Sequence, residues 1–301
     1  MSSLAHVATF IADARHGMLG NDVLRRLSRH LPNAGAPTWL NPGIAADIVF
    51  GPLPADAIRP IDKALRQDIA DQPIDVILQP ATQRRKKLFV ADMDLTMIGQ
   101  ECIDELADLV GLRAEIAAIT ERAMRGEIAF EPALRERITL LRGLPAESIA
   151  TVLAERVTLM PGATTLVRTM RAHGAYTALI SGGFTLFTSE IAATIGFDTH
   201  VANVLIVEDG KLTGFIEEPV LGTSAKLEAL EALASRHGVA LAETLAVGDG
   251  ANDLAMLARA GLGVAFHAKP AVAAAAHARI DQCDLTALLY AQGYKSSEFR
   301  D

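Results

Sequence analysis

Residues 87–96 read KLFVADMDLT. Leu88, Phe89, Val90 and Ala91 are apolar on both faces of an extended chain, the pattern of a strand buried inside a parallel sheet. The run stops at Asp92, and Asp94 and Thr96 follow at alternate positions. In open parallel sheets, ligands bind beyond the carboxyl ends of the strands, where the connections diverge. Two acids at that point are placed for chemistry rather than for packing.

Downstream, residues 100–160 read as almost wholly helical, with helices over 101–110, 113–125, 131–142 and 146–155. Breaks fall at Gly111, Gly126, Gly143–Leu144–Pro145 and Pro161–Gly162. Strands and helices then alternate. Helix 163–172 precedes the strand YTALISGG (176–183), and helix 184–195 precedes a hairpin, VANVLIVEDGKLTGFIEEPV (201–220), turned at Asp209–Gly210. Helix 224–237 leads to TLAVGDG (244–250), helix 251–259 to LGVAF (262–266), and helix 270–278 follows. The tail KSSEFRD (295–301) is expected to fray. Upstream, residues 1–83 show the order strand, helix, strand, strand, helix, strand, which is that of a ferredoxin-like unit. The expected class is α/β: a doubly wound parallel-sheet core (84–99 and 161–295), a small helical cap (100–160) inserted after its first strand, and an N-terminal α+β domain (1–83).

Composition narrows the function. The chain has 301 residues, half of them hydrophobic, and a net charge of -8. Its densest basic run, Arg84–Lys87, reads as part of a solvated linker, so a nucleic-acid partner is not expected. The N-terminus lacks the basic region of a signal peptide, and no uncharged apolar segment is long enough to span a bilayer. Cys102 and Cys283, the two cysteines, form no C-x-x-C pair, and Cys102 reads as a small buried side chain. A reducing, cytoplasmic setting is the expectation. The eight histidines show no metal-ligand spacing.

Three strand ends then supply one rim. The first carries Asp92, Asp94 and Thr96; the second Ser181, Gly182 and Gly183; the third Asp249, Asn252 and Asp253. Lys226 stands near the start of the helix leading to the third strand. Gathered carboxylates repel one another unless a hard cation with oxygen ligands joins them, and beside a phosphate that cation is ordinarily Mg²⁺. Ser181, the Gly182 amide and Lys226 can grip phosphate oxygens. Asp92 is placed to attack phosphorus, and Asp94 to protonate the leaving oxygen and then activate water. Other readings stand beside these. Thr96 also fits a helix cap, and Thr223 and Ser224 compete with Lys226 for the helix start.

D-x-D-x-T after a strand, then S-G-G, a lysine, and G-D-G-x-N-D, in that order, resemble the haloacid dehalogenase superfamily of phosphotransferases over residues 88–285. The helical insertion is similar to the small cap of its phosphoserine phosphatase branch, and the N-terminal block is similar in placement to the ACT-like domain of many members. The resemblance implies a small phosphomonoester, O-phosphoserine, as substrate. Glu101 would bind its amino group and Arg137 its carboxylate, with Phe130 and Met124 lining the pocket. Asp92, the Asp94 main-chain carbonyl and Asp249 would hold the metal, with Asp253 and Thr96 behind them and Asn252 near the phosphate. Arg135 and Arg142 are near alternatives to Arg137. A homodimer is compatible with this picture. So are a related phosphatase or phosphotransferase for another small phosphomonoester, and an idle amino-acid sensor on the same fold.

Overall fold

A computed structural model describes residues 4–13, 15–54, 57–125 and 127–301. The chain opens with β1 (Leu4–Ala12), α1 (Asn21–Leu27), β2 (Thr38–Asn41), β3 (Ala45–Leu53), α2 (Ile58–Asp68) and β4 (Ile74–Pro80). These strands form an antiparallel sheet in the order β2-β3-β1-β4, the ferredoxin-like arrangement. Alternation along β1 gives the sheet two apolar faces. Phe10 packs with Leu24, Leu65 and Val76 in the unit's own core, and Ile11 joins the core of the rest of the molecule.

The strand β5 (Leu88–Ala91) follows, fully buried. The insertion comes next: α3 (Cys102–Leu109), α4 (Arg113–Met124), α5 (Phe130–Leu140) and α6 (Glu147–Glu155). It leaves and returns through a two-stranded neck, where Gly99 N–H donates to Thr158 O (3.0 Å) and Met160 N–H to Met97 O (2.9 Å). The chain then runs through α7 (Ala163–Ala172), β6 (Tyr176–Phe184), α8 (Thr185–Ile195), β7 (Thr199–Asn203), β8 (Leu205–Glu208), β9 (Lys211–Ile216) and α9 (Ala225–Arg236). It finishes with β10 (Thr244–Gly248), α10 (Leu254–Arg259), β11 (Leu262–Phe266), α11 (Pro270–Ala275), β12 (Ala278–Ile280) and α12 (Ala287–Ala291). Six strands make a parallel sheet in the order β12-β11-β10-β5-β6-β7. With β5 between β10 and β6, the ends bearing Asp92, Ser181 and Asp249 are neighbours.

Several sequence expectations are corrected. The segment 201–220 is not one hairpin. Val201–Asn203 belong to β7, which pairs parallel with β6, and only β8 and β9 form the hairpin. Helix 270–278 ends at Ala275, and Ala278–Ile280 form an edge strand. The expected break at Gly126 lies outside the described residues. Arg84 is not solvated: it donates to Asp47 Oδ2 (2.6 Å), to Thr9 Oγ1 (3.0 Å) and to Ala291 O (3.0 Å). Lys86 is buried, with Nζ donating to Ala242 O (2.8 Å), and burial pulls its pKa down. The tail is pinned rather than frayed. Arg85 pairs with Glu298 (2.7 Å), Arg300 N–H donates to Thr169 Oγ1 (2.8 Å), and Thr165 Oγ1 donates to Asp301 (2.8 Å). Among the described residues, no helix is long and apolar enough to cross a membrane.

Candidate active site

Asp92 continues β5, its N–H donating to Val247 O (3.0 Å) on β10. Its Oδ1 accepts the Met93 N–H (2.7 Å) and pairs with Lys226 Nζ (2.6 Å). The loop then turns sharply. Leu95 adopts a left-handed φ of 54°, and the N–H groups of Met97 and Ile98 fold back on Met93 O. This places Thr96, fully buried, with Oγ1 3.4 Å from Asp249 Oδ1. Beyond β10, a Cβ at Gly248 would collide with the Asp253 carboxylate, so only glycine fits there. Asp253 is completely buried. Its Oδ1 takes Lys226 Nζ (2.6 Å) and its Oδ2 the Gly250 N–H (2.9 Å). Carboxylate oxygens of Asp92, Asp249 and Asp253 lie within 4.8 Å of one another.

Acids gathered in this way ionise less readily. Burial, then the charge on Asp92, pushes Asp249 up to about 6 and Asp253 up to about 7. Asp94 is raised well above the usual carboxylate range by burial, Glu101 and Asp92, and among the described residues its Oδ1 has no hydrogen-bond partner. Burial also opposes the charge on Lys226, but Asp92 and Asp253 overcome it and hold the ammonium above its usual range. Cys102 is buried as expected, and burial beside Asp94 pushes its thiol up, away from thiolate character.

The second strand end is built differently. Between Ile180 and Phe184, β6 slips register against β7, so Ser181, Gly182 and Gly183 bulge where β7 offers Ala202 alone. Ser181, Gly182, Lys226 and Asn252 line a small cavity of about 10 Å³ with Gly222, Thr223 and Phe130. Phe130 comes from the insertion, and its ring tip lies 3.7 Å from where a Gly182 Cβ would stand. Sequence reasoning weighed Thr223 only as a helix cap and passed over Asn203, and both are here. Thr223 lines the cavity, and Asn203 is buried behind the bulge. A polar residue closing the run THVAN was the only signal for Asn203. A larger groove of about 520 Å³ between α6 and α8 has a mainly apolar lining and does not include the acids.

On the insertion, Glu101 precedes α3 and Arg137 lies in the last turn of α5. Glu101 is exposed, yet desolvation by the surrounding protein, with Asp104, Asp249 and Asp92, pushes it up to about 7. Arg137 is half-buried, which lowers its pKa, partly offset by Glu101 and Asp104. Its hydrogen bonds, to Ala133 O (3.4 Å) and Thr120 Oγ1 (3.5 Å), are long. Among the described residues, no carboxylate lies within 4.0 Å of its guanidinium. The alternatives are engaged elsewhere: Arg135 pairs with Glu131 and Glu218, and Arg142 donates to Thr213 O (2.8 Å) over the Phe215 ring. The Met124 side chain lies outside the described residues.

The family profile of haloacid dehalogenase-like hydrolases matches residues 89–258. A phosphoserine phosphatase from Methanocaldococcus jannaschii is 42% identical over 207 residues, which are 69% of this chain and 98% of that protein. The chain belongs to the phosphoserine phosphatase family of haloacid dehalogenase-like hydrolases. A phosphoserine phosphatase from Haemophilus influenzae is 46% identical over 67% of this chain, which spans 64% of that protein, less than two thirds. Among solved structures of these hydrolases, one from Salmonella enterica serovar Typhi superposes with a TM-score of 0.84 at 29% identity, covering 95% of this chain and 97% of its own. That likeness takes in the N-terminal unit as well as the hydrolase core. A phosphoserine phosphatase solved as a phospho-aspartyl intermediate analogue superposes with a TM-score of 0.63 at 42% identity, over 68% of this chain and 98% of that one.

Proposed function

We propose that the chain hydrolyses O-phosphoserine to serine and phosphate through an aspartyl-phosphate on Asp92, as the phosphatase step of serine synthesis. The observation that carries the chemistry is Lys226 held between Asp92 and Asp253 in a cluster of buried acids. Lys226 and the Met93 N–H fix the orientation of the Asp92 carboxylate, which would attack phosphorus. As the Asp92–phosphorus bond forms, the bond to the serine oxygen breaks and Asp94 gives that oxygen its proton. Asp94 suits the task because its raised pKa keeps a proton available. In the second step the Asp94 carboxylate takes a proton from water, the water oxygen bonds phosphorus, and the Asp92–phosphorus bond breaks. A positioned acid–base of this kind contributes about 10²–10⁴-fold. Ser181, the Gly182 N–H, Lys226 and Asn252 would hold the phosphoryl oxygens.

An all-oxygen donor set of clustered carboxylates fits a hard divalent cation. Mg²⁺ on Asp92, Asp249 and the Asp94 main-chain carbonyl would neutralise charge on the acids and the phosphate. Both Asp253 oxygens are taken by Lys226 and Gly250, which suits a role behind the ligands, with Thr96. The Arg137 guanidinium, with no carboxylate partner among the described residues, supports a substrate with a carboxylate, Glu101 one with an amino group, and Phe130 and Met124 would close around it. We assign residues 1–83 to an ACT-like domain, 84–99 with 161–295 to the catalytic core and 100–160 to the cap. Two free, buried cysteines suit a cytoplasmic setting.

The test is phosphate release from phosphoserine, phosphothreonine and several sugar phosphates, with and without Mg²⁺. Phosphoserine should be preferred and turnover should need the cation. Equal rates on sugar phosphates would overturn the substrate.

A further inference from the structure

We propose that Asn203 is a positioning residue, which aims the Ser181 hydroxyl at the phosphate through the Gly182–Gly183 peptide. The argument starts from the bulge. Residues 181–183 have left the β6–β7 ladder, so the Gly182 carbonyl has lost its strand partner. Asn203, 2% exposed, replaces it: Nδ2 donates to Gly182 O (2.9 Å) while Oδ1 accepts the Leu221 N–H (2.8 Å). The Leu221 donor fixes which end of the amide is oxygen, so the orientation follows from the network.

The C=O and N–H of a trans peptide point in opposite directions. Holding the Gly182 carbonyl on Asn203 therefore turns the Gly183 N–H the other way, and it donates to Ser181 Oγ (2.9 Å). With a lone pair of Oγ engaged, the hydroxyl proton remains to be given. Among the described residues, the Ser181 hydroxyl donates to no protein acceptor. Leu221 leads directly to Gly222 and Thr223, which line the same cavity, so one buried amide ties together two of its walls.

This inference rests on the reading of Ser181 as a phosphate ligand. It is tested by a double-mutant cycle of Asn203→Ala with Ser181→Ala, measuring kcat/KM on phosphoserine and on p-nitrophenyl phosphate with Mg²⁺ present. Misplacing a group by about 1 Å can cost about 10²-fold, so Asn203→Ala should lower both substrates by roughly that factor. In the Ser181→Ala background, with no hydroxyl to aim, the further loss should shrink to about threefold or less. Equal losses in both backgrounds would mean that Asn203 supports only the fold, and would overturn the proposal. Should Asn203→Ala fail to fold, Asn203→Leu, which keeps the side-chain volume and has no donor for Gly182, completes the same cycle. Absence of wild-type turnover on phosphoserine alone would strike the substrate assignment, and the p-nitrophenyl phosphate cycle would still decide the role of Asn203.

Discussion

Lys226 Nζ stands 2.6 Å from Asp92 Oδ1, and the two side chains are only 5% and 8% exposed. The same ammonium lies 2.6 Å from Asp253. One cation thus compensates two buried acids, and removing a partner from such an arrangement costs about 3–5 kcal/mol. Lys226→Met should abolish turnover and destabilise the metal-free protein. The destabilisation should be larger near pH 8 than near pH 5, because Asp253, raised to about 7 by burial and the charge on Asp92, regains its proton as the pH falls. Urea unfolding at the two values checks this, and an equal loss at both would contradict it.

Among the described residues, the Arg137 guanidinium has no carboxylate partner. Losing a hydrogen-bonded charge partner costs about 2–5 kcal/mol. Arg137→Ala should lower kcat/KM on phosphoserine by that amount while sparing an aryl phosphate, which lacks the carboxylate. Arg137→Lys should recover little, since a lysine cannot reproduce a bidentate fork. A uniform drop on both substrates would place Arg137 in the fold or the chemistry instead.

Cation binding should strengthen with pH. Asp249 sits at about 6 and Asp253 at about 7, both above their ordinary values. The native state therefore holds protons that the unfolded chain has already lost, and these groups make the metal-free protein less stable as pH climbs from about 4 to 7. A cation must displace those protons. The rise in urea midpoint on adding Mg²⁺ should be larger near pH 7.5 than near pH 5; the reverse order would count against the acid cluster as its site.

Asp75 on β4 is 1% exposed and accepts three backbone N–H groups: Asp281 (2.9 Å), Gln282 (3.0 Å) and Cys283 (2.9 Å). Two residues on, Leu285 N–H donates to Pro161 O (3.1 Å), where the chain returns from the insertion. Hydrogen bonds to a charged group contribute about 1.5–3 kcal/mol each, so Asp75→Ala should cost at least about 3 kcal/mol. A loss below about 1 kcal/mol by urea unfolding would show that the N-terminal unit is only loosely joined to the core.

The cavity beside Ser181 is small, about 10 Å³. Phe130 lies against Gly182, and β9 holds the insertion through Leu212, which accepts from Gly143 N–H (2.8 Å) and donates to Leu144 O (2.8 Å). The sequence showed the insertion as helical, but this grip depends on a long-range backbone pairing that no local pattern announces. Legible features were those with a strong local cause. Leu88–Ala91 are apolar on both faces because β5 is buried on both, and Asp92 marks where the apolar run ends. The N-terminal order was readable because its strands are short apolar runs set off by turn residues such as Asn41, Pro42 and Gly43. β7 was missed because THVAN runs into the following hairpin with only Val204 between them, and β12 because three residues carry no period. Arg84 looked solvated because its partners, Asp47 and Ala291, are far away along the chain. The role proposed for Asn203 needs the bulge opposite it, which exists only once β6 and β7 are paired.

The most direct test of the account is to quench turnover of ³²P-labelled phosphoserine with acid and map the protein-bound label. The prediction is a hydroxylamine-sensitive acyl phosphate on Asp92, absent in Asp92→Asn. Label on Ser181 or on a histidine, or turnover surviving in Asp92→Asn, would contradict it.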